Sequence, residues 1–181
     1  GLGDVYKRQG TIGSIILQTC KAKGCKTVIC CDISDSSLER AKEYGADYVI
    51  NSKTQDVVAE IQKITDGHGC TVAFDSACFP GSLTMCLQPG ILCNAGRMVP
   101  MGFCTEKEGI TQAMINQREL DIIGSRMSQD AFEPTIARME KGEYITDGIA
   151  TTFIKFSEID KVFYLMDHPD ESAKKMVILI D

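Results

Sequence analysis

The strongest constraint on the fold is a rhythm. From Thr11 to about Ser128, short apolar runs alternate with stretches whose apolar residues recur at helical spacing. Such alternation is the pattern of a parallel sheet with crossover helices. Ile12, Ile15, Ile16, Thr19 and Cys20 make the first helical stripe, closed by Gly24. Thr27-Val28-Ile29-Cys30-Cys31 follows, an unbroken apolar run ending at Asp32, as strands buried on both faces read. Ser36-Ser37-Leu38-Glu39 has capping-box spacing and predicts a helix to Tyr44, stopped by Gly45. Tyr48-Val49-Ile50 is a short strand, and Val57, Val58, Ile61 and Ile64 make the next helix. Val72-Ala73-Phe74 is a strand leading to Asp75, and residues 80–87 form a weaker helix. Strands are predicted over 97–101, where Pro100 is a poor fit, and over 120–123. A helix from Ser128 carries Phe132, Ile136 and Met139 on one face. A last helix, capped at residues 157–160, turns Ile159, Val162, Phe163 and Met166 inward, and residues 176–180 are a strand.

Composition narrows the class of partner. A chain of 181 residues buries roughly 70% of its unfolded surface, so it needs no metal or disulfide to hold a core. The net charge of −6 provides no basic footprint for a nucleic-acid backbone. No apolar run is long enough to span a membrane, and the opening Gly-Leu-Gly-Asp-Val-Tyr-Lys-Arg-Gln has no apolar core of a signal peptide. Nine cysteines, an odd number, sit mostly in apolar stretches and lack the C-x2-C pairing that zinc prefers. They read as small hydrophobes in a reducing, cytoplasmic compartment. Adjacent Cys30 and Cys31 on a strand point to opposite faces. His68 and His168 both lie in turn sequences.

One constellation carries chemistry. Gly10-Thr11-Ile12-Gly13 opens the first helix, and Asp32 ends the next strand, 19 residues after Gly13. Glycine at such a turn lets a pyrophosphate approach the backbone, where the helix N-terminus offers N–H groups and the positive dipole end. A carboxylate at this distance reaches the adenosine ribose hydroxyls and repels a 2′-phosphate. No Arg or Lys follows within five residues of Asp32, so NAD is favoured over NADP. The first glycine of a full G-x-G-x-x-G motif is replaced by Arg8, and no apolar strand precedes the turn.

Taken with Asp32-Ile33-Ser34, Leu38-Glu39-Arg40-Ala41-Lys42 and Tyr44-Gly45-Ala46-Asp47, the turn resembles the cofactor half of the medium-chain zinc-dependent alcohol dehydrogenases, in their sorbitol and polyol branch. The likeness continues through Val72-Ala73-Phe74-Asp75-Ser76, Gly96-Arg97-Met98-Val99 with Gly102, and Glu119-Leu120-Asp121-Ile122-Ile123-Gly124-Ser125, and it covers nearly everything from Gly10 to Asp181. It implies a Rossmann-like, doubly wound parallel sheet. Gly10, Thr11, Ile12 and Gly13 would lie at the pyrophosphate and Asp32 on the ribose. Ser76, Met101, Gly102, Phe103, Ser125 and Arg126 would complete the cofactor side of the cleft. It also implies hydride transfer from a secondary alcohol of a polyol or sugar acid to NAD, with zinc as Lewis acid. Chains of this family are dimers or tetramers, and the strand between Leu120 and Gly124 would be a pairing edge.

The departures set further expectations. Ser37 stands where polyol dehydrogenases often carry a basic residue, and Ala77-Cys78 replace a usual Thr-Gly. The family's zinc ligands and proton relay precede the glycine motif, so the chain reads as a fragment with no catalytic or metal residues of its own. Residues 1–9 read as a non-native leader, 10–145 as the NAD-binding domain with its first strand truncated, and 146–181 as part of an absent catalytic domain. Loss of that strand would leave a gap in the middle of the sheet, and the segments at 149–153 and 176–180 would be orphaned. A free-standing NAD-sensing module is the alternative. A methyltransferase fits the Gly-Thr-Ile-Gly turn less well, and a short-chain dehydrogenase is excluded because no Tyr-x-x-x-Lys occurs.

Overall fold

The computed structural model describes residues 4–7 (backbone only), 10–77, 79–128, 130–168 and 175–180. Cys78 and most of the opening nine residues therefore lie outside the described part. The strands are β1 (Asp4–Lys7), β2 (Val28–Asp32), β3 (Tyr48–Asn51), β4 (Cys70–Asp75), β5 (Leu92–Pro100), β6 (Asp121–Ile122), β7 (Thr152–Lys155) and β8 (Met176–Leu179). The helices are α1 (Thr11–Ala22), α2 (Asp35–Glu43), α3 (Val57–Ile64), α4 (Ser82–Cys86), α5 (Gln112–Asn116), α6 (Phe132–Glu140) and α7 (Ile159–Asp167). Six strands form one sheet in the order β3-β2-β1-β4-β5-β6, with every pairing parallel. This is the doubly wound order, reversing direction between β1 and β4.

β2 shows how the sequence builds the two faces. All five of its residues are buried, as the continuous apolar run requires. Val28 and Cys30 join Leu17 and Cys20 of α1 and Ala41 of α2 in one core cluster. Ile29 and Cys31 point the other way, into a cluster with Ile61 of α3, Ala73 of β4, Leu87 and Met98. The period of two thus sends the neighbouring cysteines to opposite faces. Each fully buried aliphatic side chain in these layers contributes about 1.5–3 kcal/mol.

Four sequence expectations are corrected. The middle of the sheet has no gap: the backbone of Asp4–Lys7 lies between β2 and β4, in register Lys7↔Cys31 and Lys7↔Asp75. A strand flanked on both sides is held by main-chain hydrogen bonds, so four residues suffice without an apolar run. The cap of α2 is Ser34 rather than Ser36, with no side-chain hydrogen bond to the helix. The capping box is unused because the Ser36 hydroxyl meets that of Ser34 at 2.9 Å. β7 and β8 are not orphaned; they pair in parallel as a separate two-stranded sheet. Finally, α7 buries Val162, while Phe163 and Met166 are 60% and 64% exposed. A two-stranded sheet is too narrow to cover a whole helical stripe.

The segment leading to β7 is tied back onto the first two helices. Gln18 of α1 donates to the Ile145 carbonyl at 3.1 Å and accepts from its N–H at 2.5 Å. The Tyr44 hydroxyl donates to the Asp147 carbonyl at 3.0 Å. Burial raises the Tyr44 pKa above its ordinary value, so the phenol keeps this proton.

Candidate functional site

Parallel strands place all their carboxyl ends along one edge, and ligands of open α/β sheets bind outside that edge where the strand order reverses. Here the edge gathers the candidate residues from separated parts of the chain. Gly10 caps α1 just after β1, Asp32 ends β2, Ser76 follows β4, Met101-Gly102-Phe103 follow β5, and Ser125-Arg126 follow β6. The registers Asp75↔Pro100 and Met98↔Ile122 align the ends of β4, β5 and β6.

Gly10 adopts φ −77°, so its conformation does not require glycine. A Cβ there would meet nothing within 4 Å, so packing does not require glycine either. What remains is open space directly over the first turn of a twelve-residue helix, whose leading N–H groups have no acceptor within the helix. A helix N-terminus of this kind is where an anionic group such as a pyrophosphate would be received. Beside it Ile12 is half exposed, while Gly13 is buried against the sheet side of α1.

Asp32 is buried, and its Oδ1 accepts from the Ser34 N–H at 2.9 Å. This local turn fixes the carboxylate at the strand end. The Asp32 carbonyl accepts from the Ser52 N–H at 2.9 Å, joining the turns after β2 and β3. Ile33, next along, exposes about half its surface to the same edge.

The other half of the cleft is organised by Asp75, also buried. Its Oδ1 accepts from the Ala77 N–H at 3.0 Å, and its Oδ2 from the Ser82 hydroxyl at 2.5 Å. Its carbonyl accepts from the Met101 N–H at 2.9 Å. Ser76 is thereby held in a tight turn, and the loop after β5 starts from a fixed point. Across the cleft mouth the Arg126 guanidinium sits 4.6 Å from the centroid of the exposed Phe103 ring. That cation–π contact brings together loops 23 residues apart in sequence.

All the candidate residues therefore lie along one edge of the sheet. The roles of Ser82 and Glu108 in holding this edge were missed by sequence reasoning. Ser82 acts across seven residues and Glu108 across at least 24, spacings that match no local cap or turn. Among the described residues no group of three or more His, Cys, Asp or Glu side chains could hold a metal ion.

Fold and site together define a dinucleotide-type α/β domain. Residues 11–141 match the family of zinc-binding dehydrogenases, and the chain belongs to that family. It is 33% identical over 135 residues to an NAD-dependent alcohol dehydrogenase of Sulfurisphaera tokodaii, covering 74% of this chain and 38% of that protein. It is 28% identical over 172 residues to the (R,R)-butanediol dehydrogenase of Neisseria gonorrhoeae, covering 93% and 48%. Among solved structures, an alcohol dehydrogenase (rspB) from Escherichia coli CFT073 complexed with NADH superposes with a TM-score of 0.86 at 28% identity. That superposition covers 98% of this chain and 51% of the other. The chain thus spans between 38% and 51% of the length of these relatives. No helix among the described residues is long and apolar enough to cross a membrane.

Proposed function

We propose that this chain binds NAD and presents its nicotinamide for hydride transfer with a small secondary alcohol, in a protein that works as a zinc-dependent dehydrogenase. The observation that carries the reading is the edge itself: an open glycine turn over α1 and a buried carboxylate at the end of the adjacent strand. In this reading Gly10, Thr11, Ile12 and Gly13 receive the pyrophosphate. Asp32 accepts from the adenosine ribose hydroxyls, with Ile33 as an apolar surface for adenine. Ser76, Met101, Gly102, Phe103, Ser125 and Arg126 line the nicotinamide side.

Residues 10–145 form the cofactor domain, and residues 146–181 belong with a catalytic half of the kind the longer relatives carry. Nicotinamide supplies hydride chemistry; this chain supplies binding and orientation. The butanediol dehydrogenase relative supports a polyol, sugar acid or similar small alcohol as substrate. We further assign a homo-oligomer paired through the β6 edge and a cytoplasmic setting, consistent with the burial of Cys20, Cys30, Cys31, Cys70 and Cys86 as small hydrophobes in the core. The deciding experiment is titration of the chain with NADH and NADPH. Tighter binding of NADH supports the reading, and failure to bind either nucleotide refutes it.

A further inference from the structure

The loop from Met101 to Thr111 connects β5 to α5 without a helix or strand of its own. Eleven such residues cost on the order of 1–2 kcal/mol each to order, so something must hold the part that faces the cleft. At its start the Met101 N–H is bonded to the Asp75 carbonyl. At its far end Glu108 reaches back to the turn after β4. Its Oε1 accepts from the Gly81 N–H at 2.8 Å, and its Oε2 from the Thr84 N–H at 3.2 Å and the Thr84 hydroxyl at 2.6 Å. That turn is fastened from the other side by the Asp75–Ser82 bond. The loop and the turn therefore close into a ring: Met101 to Asp75, Asp75 to Ser82, Thr84 to Glu108. Among the described residues no hydrogen bond holds 102–107 between the two anchors. Phe103 is tied to Arg126 by the cation–π contact.

We propose that Glu108 is a positioning residue for the nicotinamide half of the dinucleotide, pinning the loop so that Met101, Gly102 and Phe103 stay over the cleft. The inference rests on the NAD reading above. It requires a carboxylate in particular, because a backbone N–H faces each oxygen, Gly81 at Oε1 and Thr84 at Oε2, and only a carboxylate accepts at both. An amide would turn its NH2 toward a donor. Burial pushes the Glu108 carboxyl up, but the hydrogen bonds from Thr84, Gly81 and the Leu83 backbone outweigh it and hold the pKa below its ordinary value. The group is thus an anion in the clasp.

The loop touches only one end of the ligand, which gives a test that loss of general stability would not mimic. The 181-residue chain, as wild type and as Glu108→Gln, is titrated with NADH and with ADP-ribose, which has no nicotinamide. Glu108→Gln should bind ADP-ribose within about twofold of wild type and NADH about five- to tenfold more weakly. Thr84→Val removes one donor only, should move NADH binding the same way by about twofold, and serves in place of Glu108→Gln if that variant does not fold. Glu108→Asp should recover part of the loss. Unchanged NADH affinity in the variants, or equal losses for both ligands, overturns the proposal. Absence of any binding by the wild type instead refutes the NAD reading, and this inference with it.

Discussion

Asp32→Asn isolates the charge of the ribose carboxylate. Asparagine keeps an oxygen at Oδ1, so the bond from the Ser34 N–H at 2.9 Å survives and the turn into α2 stays closed. What is lost is an anion that would accept from the ribose hydroxyls. Hydrogen bonds to charged groups are worth about 1.5–3 kcal/mol, so NADH affinity should fall about ten- to a hundredfold. NADPH should respond in the opposite sense. Its 2′-phosphate meets the Asp32 anion across the same edge in the wild type, and removing that repulsion should narrow the preference for NADH. Quenching or enhancement of nicotinamide fluorescence, titrated in parallel with both nucleotides at fixed ionic strength, reads both changes. Because Asp32 is buried at the end of β2, circular dichroism and a thermal midpoint must accompany the titration. If a folded Asp32→Asn binds both nucleotides as the wild type does, the assignment of Asp32 to the ribose is wrong.

Leu17, fully buried between α1 and the sheet, should cost about 2–5 kcal/mol when changed to Ala, seen as a lower urea midpoint with an unchanged slope. The Glu108 clasp has a sign that can be checked by pH. Its carboxyl lies below the ordinary value of 4.5 in the folded chain, so its contribution is complete above that value and disappears as pH falls through the folded pKa. Wild type and Glu108→Gln should therefore differ in stability at neutral pH and converge in acid, and a difference that persists in acid contradicts the clasp. Added zinc should not produce alcohol oxidation by this chain alone, because the described residues offer no metal centre; steady NADH formation would contradict this and place a catalytic group within the chain.

Where side-chain pattern decides the structure, the sequence is a good guide. The run from Val28 to Cys31 predicts a strand buried on both faces and is one. Gly45 stops α2 in the left-handed region, φ 95°, as a glycine after a helix should. The spacing from Gly13 to Asp32 brings glycine turn and carboxylate to one edge, because one helix and one strand return the chain to where it began. The pattern fails where the backbone or distant partners decide. β1 is held by its neighbours' main chains, so its own residues need not look like a strand. α6 and α7 have correct helical spacing, yet Phe132, Phe163 and Met166 remain exposed, because periodicity shows that a face exists and not what covers it. Ser82 and Glu108 are ordinary polar residues until the fold brings them to the ends of β4 and β5.

The sheet order has a consequence for folding. β2 and β3 lie on one side of β1, and β4, β5 and β6 on the other, so within the sheet the two blocks of strands meet through a four-residue seam. Val5 pairs with Ile29 across 24 positions and with Ala73 across 68. The second is the costlier closure. The helix α1 and strand β2 can meet early, but the seam cannot fill until β4 exists, so joining the blocks should be the late and slow step. Once joined, both blocks must part at the same place. Amides on either flank of β1, at Cys31 and at Phe74, should then exchange with solvent in a single concerted opening rather than strand by strand.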